Sequence, residues 1–134
     1  MTEHPNVERL RRGYAAYATG DLATLRGLLA DDVTFRFLGH FLGHTPLSGA
    51  YNGLAEVLGY FARLQESGAA FSFEVHGLLA DDEHAVALLA GTAERGGKRI
   101  RQQVVHVFHL NADGKVTGWW NFWEDQVALD DLFA

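Results

Sequence analysis

The 134-residue sequence contains no cysteine, which excludes disulfide bonds, thiolate metal ligands and a cysteine nucleophile. Basic residues are also scarce: 11 Lys and Arg face 17 Asp and Glu, and the formal net charge of -6 predicts no nucleic acid partner. No apolar run approaches the roughly 20 residues that a membrane-spanning helix needs. The N-terminal residues lack the apolar segment of a signal peptide, so we expect a soluble, cytoplasmic protein with no membrane partner.

Hydrophobic residues, in contrast, make up 48% of the chain. A chain of this length buries roughly two-thirds of the surface that its unfolded form exposes, which is enough for one cooperative core. No linker, repeat or low-complexity stretch interrupts the sequence. We therefore predict a single domain that covers residues 1–134.

The first part of the chain has the pattern of two helices. Apolar side chains recur at three- and four-residue steps, the spacing of one helical face, at Val7, Leu10, Tyr14 and Tyr17. Thr19-Gly20 is predicted to end this helix. Asp21 is then a suitable N-cap for a second, short helix over LATLRGLLA.

A strand, a loop and a third helix follow. Val33, Phe35 and Phe37 alternate with polar residues as in a strand, and a loop with several glycines comes next. The third helix holds its apolar residues on one face behind a predicted Asn52 cap. Its apolar face consists of Leu54, Val57, Leu58, Phe61 and Leu64.

From residue 69 onward the pattern is that of strands joined by short turns, which predicts a four-stranded antiparallel meander. The final ten residues indicate a short helix with Asp125 as its cap. Helices packed on one face of a curved sheet make an α+β fold.

All three tryptophans lie in the hairpin that is predicted over residues 101–125. Its two strands are separated by the turn signal Asn111-Ala112-Asp113-Gly114. Strand alternation puts three residues of each strand on one face, and these are Val104, His106 and Phe108, then Trp119, Asn121 and Trp123. A histidine and an amide among indoles favour a mostly apolar ligand cavity. An aromatic sheet face packed in the core or in a dimer is the alternative interpretation.

Several short sequence motifs occur in the order expected of one superfamily. They are Gly20-Asp21, Leu29-Ala30-Asp31-Asp32-Val33, Gly49-x-x-x-Gly53, Asp113-Gly114-Lys115-Val116 and Trp120-x-Phe122-x-x-Asp125-Gln126. Together with the element order they resemble the nuclear transport factor 2-like superfamily, in its SnoaL-like and ketosteroid-isomerase-like branch. The resemblance covers nearly the whole chain. It implies an α+β cone in which three N-terminal helices pack on a strongly curved, mostly antiparallel sheet, with a pocket between them.

The residues that act in these relatives are only partly present. Steroid isomerases hold a base aspartate at the position of Phe37, a protonated aspartate as oxyanion donor at that of His106, and a tyrosine at or next to Tyr14. SnoaL-type cyclases hold an acid/base aspartate at the position of Asn121, and an amide cannot take a proton. The resemblance therefore implies a pocket without either family's base.

The leading hypothesis is a cofactor-independent enzyme that acts on a small, hydrophobic, oxygenated molecule by isomerisation, dehydration or cyclisation. His106 is the predicted acid/base or hydrogen-bond donor, because the pKa of histidine lies near working pH. His40, after the first strand, is a possible second acid/base, while Asn121 and Tyr14 would orient a carbonyl. The predicted ligand-binding residues are Phe37, Trp119, Trp123, Tyr17 and Phe61. The alternative is a non-catalytic binding or accessory domain.

Seven histidines raise the question of a metal. Only His40 and His44 have a ligand-like spacing, and they sit in a predicted loop without acidic ligands at matching positions. We predict no metal and no cofactor.

The opposite face of the same hairpin is the predicted dimer contact. In relatives the outer face of the sheet forms a two-fold dimer, and alternation places on it Arg101, Gln103, Val105, Val107, Trp120 and Phe122. A homodimer would cover an apolar patch that soluble monomers seldom expose.

Overall fold

The computed structural model describes residues 3–37 and 46–133. Its elements in chain order are α1 (Pro5–Thr19), α2 (Leu22–Leu28), β1 (Leu29–Phe37), β2 (Gly49–Asn52), α3 (Leu54–Glu66), β3 (Ala70–Ala80), β4 (His84–Arg95), β5 (Lys98–Leu110), β6 (Val116–Trp123) and α4 (Gln126–Asp131). No helix in these two ranges is long and apolar enough to cross a membrane.

The six strands form one sheet in the order β2-β1-β6-β5-β4-β3. Strands β3 to β6 make the predicted antiparallel meander, while β1 pairs with β6 in parallel. The helices α1, α2 and α3 precede most of the sheet and contact it through β1, β2 and β3. The α+β fold with three N-terminal helices and a mostly antiparallel sheet is confirmed.

Local capping chemistry explains where the helices begin and end. Asp21 accepts a hydrogen bond from the Thr24 amide at 3.1 Å, and Asp125 accepts one from the Ala128 amide at 3.0 Å, so both predicted N-caps are confirmed. Gly20 ends α1 in the left-handed conformation, with a φ of 71°.

The predicted Asn52 cap is wrong. The N-cap of α3 is Gly53, and no side chain makes a capping bond there. Asn52 instead ends β2, where it pairs with Thr34 of β1. Sequence analysis placed β2 in a loop, because four residues that begin with glycine carry no readable alternation and are held only by pairing with β1.

The predicted β5–β6 hairpin is present, and its ladder gives the register. His106 lies opposite Asn121, Phe108 opposite Trp119, and Val104 opposite Trp123, so the faces named from the sequence do meet across the ladder. His106 has no exposed surface and Asn121 has 2%. These two side chains are therefore closed to bulk water. Burying their polar groups costs free energy unless each forms a hydrogen bond.

The outer face of the sheet carries the side chains that alternate with the inward-facing ones along each strand. One row across the strands joins Leu88, Val105 and Phe122, and the neighbouring row joins Leu79, Val86, Val107 and Trp120. Phe122 is 51% exposed, Leu88 43% and Leu79 63%. The Trp120 ring folds back over Gly118 and packs on His109, 4.7 Å between ring centroids. A contiguous apolar patch thus lies on the outer face, as the sequence predicted.

A close approach in the core depends on Gly91 of β4. A Cβ added there would lie 2.6 Å from Cγ2 of Val104 and 3.1 Å from the indole of Trp123. We expect Gly91→Ala to lower the free energy of unfolding by about 1–3 kcal/mol, because β5 and β6 would have to shift to admit one methyl group.

The matched control for Gly91→Ala is Gly59→Ala in α3, where an added Cβ meets nothing within 4 Å. This change should leave stability unchanged or raise it by about 0.5–1 kcal/mol, the helix preference of alanine over glycine. Urea unfolding followed by tryptophan fluorescence measures both variants. Equal stabilities of the two variants would contradict the packing role given to Gly91.

Candidate active site

A cavity of about 80 Å³ lies between the helices and the inner face of the sheet, with walls from α1, α2, α3, β3, β5 and β6. Most of the predicted site residues line it, namely Tyr14, Tyr17, Phe61, His106, Trp119 and Asn121. The periodicity of α1 and the alternation of β5 and β6 both point their residues into one space, which is why sequence reasoning found this set.

The enclosed space is small. An engineered cavity of about 150 Å³ is known to hold benzene, so one of about 80 Å³ does not enclose a single ring without adjustment. A surface groove of about 960 Å³ shares Tyr14, Tyr17, Phe61 and Phe73 with the cavity. A larger molecule would therefore extend from the cavity into this groove or displace a wall side chain.

Tyr14 and His106 form the polar centre of the cavity. The Tyr14 Oη lies 2.7 Å from His106 Nδ1, and the two rings are nearly parallel, at 15°. Other aromatic rings approach the imidazole at steep angles, and these are Phe73 at 5.0 Å, Trp119 at 5.5 Å and Phe108 at 6.1 Å. The imidazole orientation is thus set by one hydrogen bond and by packing on several sides.

Burial determines the protonation of this pair. Burial lowers the pKa of His106 to about 3, and the nearby Asn121 side chain opposes this shift only in part. Burial also raises the pKa of the Tyr14 phenol well above its usual value. At neutral pH the imidazole is therefore uncharged and the phenol keeps its proton.

Hydrogen-bond accounting assigns the tautomer of His106. Among the described residues the Tyr14 hydroxyl has only His106 Nδ1 as a partner, so its O–H donates to that nitrogen. The single proton of the neutral imidazole is then on Nε2. Tyr14 therefore fixes the imidazole through Nδ1, and the Nε2–H donor points to the side of the ring away from Tyr14.

Three polar atoms of the cavity walls are buried and have no hydrogen-bond partner of normal geometry among the described residues. They are His106 Nε2, Trp119 Nε1 and Asn121 Oδ1. Buried polar groups are nearly always paired in folded proteins, since an unpaired one costs about 1–3 kcal/mol. The Asn121 side chain is close enough to raise the pKa of the imidazole, and wall side chains cover all three atoms. A ligand carbonyl or hydroxyl group that pairs with them must therefore displace a wall side chain and compete with Asn121 for His106.

Tyr17 and Phe61 contribute apolar surface. The Tyr17 hydroxyl donates to the Phe71 carbonyl oxygen at 2.8 Å, so its polar atom is already paired. Its ring packs on Phe61, whose ring in turn lies 6.3 Å from that of Trp119. Both side chains therefore serve as walls, as expected from the sequence.

Phe37 and Trp123 do not line this cavity and belong to the core instead. Phe37 is fully buried, with its ring 5.7 Å from that of Tyr60 and 5.9 Å from that of Phe71. The Trp123 indole fills the space above Gly91. Alternation placed both residues on the inner face correctly, but only packing decides which part of that face stays empty.

Sequence analysis missed Arg9 and Tyr60 as cavity residues. Arg9 of α1 lines the end of the cavity. Tyr60 is 3% exposed and also contributes to the wall. The available signal was helical spacing, because Arg9, Gly13 and Tyr17 recur at four-residue steps on α1.

His40 and His44 lie outside the described residues. Within residues 3–37 and 46–133, no three His, Asp or Glu side chains are grouped so as to hold a metal ion. The described cavity walls contain no carboxylate either.

Comparisons with known proteins agree with this architecture. The family model for the SnoaL-like domain matches residues 10–119. An uncharacterised protein of Mycobacterium tuberculosis H37Rv is 30% identical over 139 aligned positions that cover all of both chains.

Two solved structures resemble the fold. Bal32a, from a soil-derived mobile gene cassette, is 30% identical with a TM-score of 0.84, covering 96% of each chain. A nuclear transport factor 2-like protein of unknown function from Burkholderia pseudomallei K96243 is 18% identical with a TM-score of 0.87, covering 98% of this chain and 99% of that one.

Proposed function

The chain belongs to the SnoaL-like branch of the nuclear transport factor 2-like superfamily, and we propose that it binds a small, hydrophobic, oxygenated molecule in the cavity described above. We propose further that it isomerises, dehydrates or cyclises this molecule by proton transfer, without a cofactor. The observation that carries the proposal is the 2.7 Å contact of Tyr14 with His106, which fixes a neutral imidazole with its Nε2–H on the side of Asn121 and Trp119.

In this mechanism His106 is a hydrogen-bond donor. A base whose pKa is about 3 accepts protons poorly at neutral pH, so the general-base role considered from the sequence is not favoured. A neutral imidazole can still donate to a carbonyl oxygen as negative charge develops on it. Tyr14 fixes the ring, Trp119 Nε1 offers a second donor, and the Asn121 amide orients the ligand.

The proton acceptor is the component that the described residues do not provide. His40 was predicted as a second acid/base, and it follows Phe37, the last residue of β1, by three positions. We propose that His40 removes the proton α to the carbonyl while the Tyr14–His106 pair stabilises the resulting enolate.

Deuterium exchange at the α-carbon of β-tetralone in D2O, followed by proton NMR, tests this function. We expect the native protein to accelerate the exchange, and Tyr14→Phe and His106→Leu each to reduce the acceleration by about 100-fold, the usual cost of one oxyanion donor. Tyr51→Phe is the matched control, since its buried hydroxyl donates to the Leu47 carbonyl oxygen and lies away from the cavity.

Non-catalytic binding is the second candidate, and the absence of a carboxylate from the described cavity walls favours it. The same experiment separates the two. Binding of β-tetralone without faster exchange by the native protein would support the binding domain. Unchanged exchange in a folded His106→Leu variant, which has no side-chain donor, would rule out the donor role.

We also propose a two-fold homodimer through the outer face of the sheet. Phe122, Leu88 and Leu79 are each more than 40% exposed there and lie in adjoining rows of the ladder. An isologous contact would place each row against its copy and remove this apolar surface from water.

A further inference from the structure

Arg9 lies where the cavity meets the β5–β6 turn. It is half-buried on α1, and its guanidinium is so close to Gly114 that a Cβ at position 114 would overlap it. Gly114 has a φ of 74°, so the turn needs a glycine for its backbone as well as for this contact. Arg9 also borders two surface depressions outside the cavity, and its head group therefore stands at the boundary between cavity and solvent.

Hydrogen bonds to the described residues satisfy only part of the Arg9 guanidinium. Its Nη1 donates to Asn6 Oδ1 at 2.6 Å, and Asn6 is itself fixed by a 2.9 Å bond from its Nδ2 to the Asp81 carbonyl oxygen. No carboxylate of the described residues lies within ion-pair distance of Arg9. Two positions along the same helix, Arg11 is paired with both Glu3 and Glu8.

The absence of an ion-pair partner among the described residues indicates what Arg9 could bind. Asp82, Glu83 and Asp113 line the two depressions that Arg9 borders, yet none of them forms an ion pair with this group, which carries five N–H bonds. The wall next to it is apolar, so a cation there is partly desolvated and gains from a bound anion. Arg9 and Tyr14 are five residues apart, about 7.5 Å along the helix axis.

We propose that the ligand of this cavity is a hydrophobic anion, whose carboxylate or equally acidic oxygen group is bound by Arg9 at the Gly114 end. Its neutral carbonyl or hydroxyl oxygen lies at the other end, against His106 and Trp119. This rests on the proposed ligand-binding function and adds to it the charge of the ligand and the residue that selects for that charge.

Isothermal titration with β-naphthoate and β-naphthamide tests the inference, because the two molecules share one ring system and differ in charge. We expect the native protein to bind the carboxylate about 10-fold more tightly than the amide, the usual gain from a hydrogen bond to a charged group. Arg9→Gln should abolish this preference and leave amide binding unchanged, while Arg9→Lys should retain part of it. Arg99→Gln is the control, since Arg99 of β5 lies outside the cavity wall and pairs with Glu94 on the surface.

Equal affinity for the two molecules in the native protein, or a preference that survives Arg9→Gln, overturns the role of Arg9 and leaves ligand binding intact. If Arg9→Gln lowers the affinity for both molecules equally, Arg9 only supports the turn, and the inference is overturned. If neither molecule binds the native protein while β-tetralone does, the inference is overturned and the ligand-binding function stands; if β-tetralone also fails to bind, both are overturned.

Discussion

Lowering the pH from 6.5 to 4.5 should destabilise the native protein by about 2–3 kcal/mol more than the His106→Gln variant. Burial lowers the pKa of His106 from 6.5 to about 3, so in this window the unfolded chain binds a proton at His106 that the folded chain does not. Stability is therefore complete above pH 6.5 and falls as the pH decreases towards 3. At about 1.4 kcal/mol per pH unit, the full loss is ~5 kcal/mol.

Urea unfolding at fixed protein concentration, repeated from pH 4.5 to pH 7.5, measures this difference. Carboxylates also lose their contribution at low pH, because hydrogen bonds lower the pKa of Asp21, Asp81 and Glu74. These groups are the same in both proteins, so their contribution cancels in the comparison. Parallel stability curves for the two proteins would show that His106 is accessible to protons in the folded state.

Phe122→Glu should dissociate the proposed homodimer. Phe122 is 51% exposed in one chain and pairs with Val105 in the apolar row of the outer face. Two-fold symmetry would bury one glutamate from each chain without a partner, and a buried unpaired charge costs several kcal/mol. We expect the dissociation constant to rise at least ~1000-fold, about 4 kcal/mol. Light scattering should then give twice 14.8 kDa for the native protein and 14.8 kDa for the variant.

Leu22→Glu in α2 is the matched control for the dimer. Leu22 is 53% exposed, nearly the same as Phe122, but it lies on a helix and away from the outer face of the sheet. It should leave the dimer intact. Trp120→Glu is a less specific probe, because the Trp120 ring covers Gly118 and its loss also exposes the backbone of β6. A native protein with the mass of one chain at micromolar concentration would refute the dimer.

The β5–β6 hairpin could be predicted almost completely from local information. A glycine-containing turn and strict alternation are sufficient to put His106 and Asn121 on the same face, because one residue of slip would turn every side chain to the wrong face. The pairing of His106 with Asn121 and of Phe108 with Trp119 is seen only in the ladder. The same reasoning found the inward face of α1, with Tyr14 and Tyr17. These are features of short segments, so the sequence itself contains them.

Features that depend on contacts between distant segments were not predictable. The parallel pairing joins β1 to β6, a strand near the other end of the chain, and the short strand β2 is held only by its pairing with β1. The empty part of the inner face is likewise a result of packing, since Phe37 and Trp123 fill core space while Trp119 borders the cavity.

Residue patterns by themselves thus determined the α+β fold, the two faces of the hairpin and the inward position of His106 and Asn121, because period and turn chemistry are local properties. The tertiary structure alone decided that Tyr14 holds the imidazole, that burial keeps His106 uncharged, and that Arg9 meets the cavity at Gly114. Hydrogen bonding, desolvation and close approach depend on which side chains surround a group in space. That neighbourhood forms only when α1 packs against the sheet.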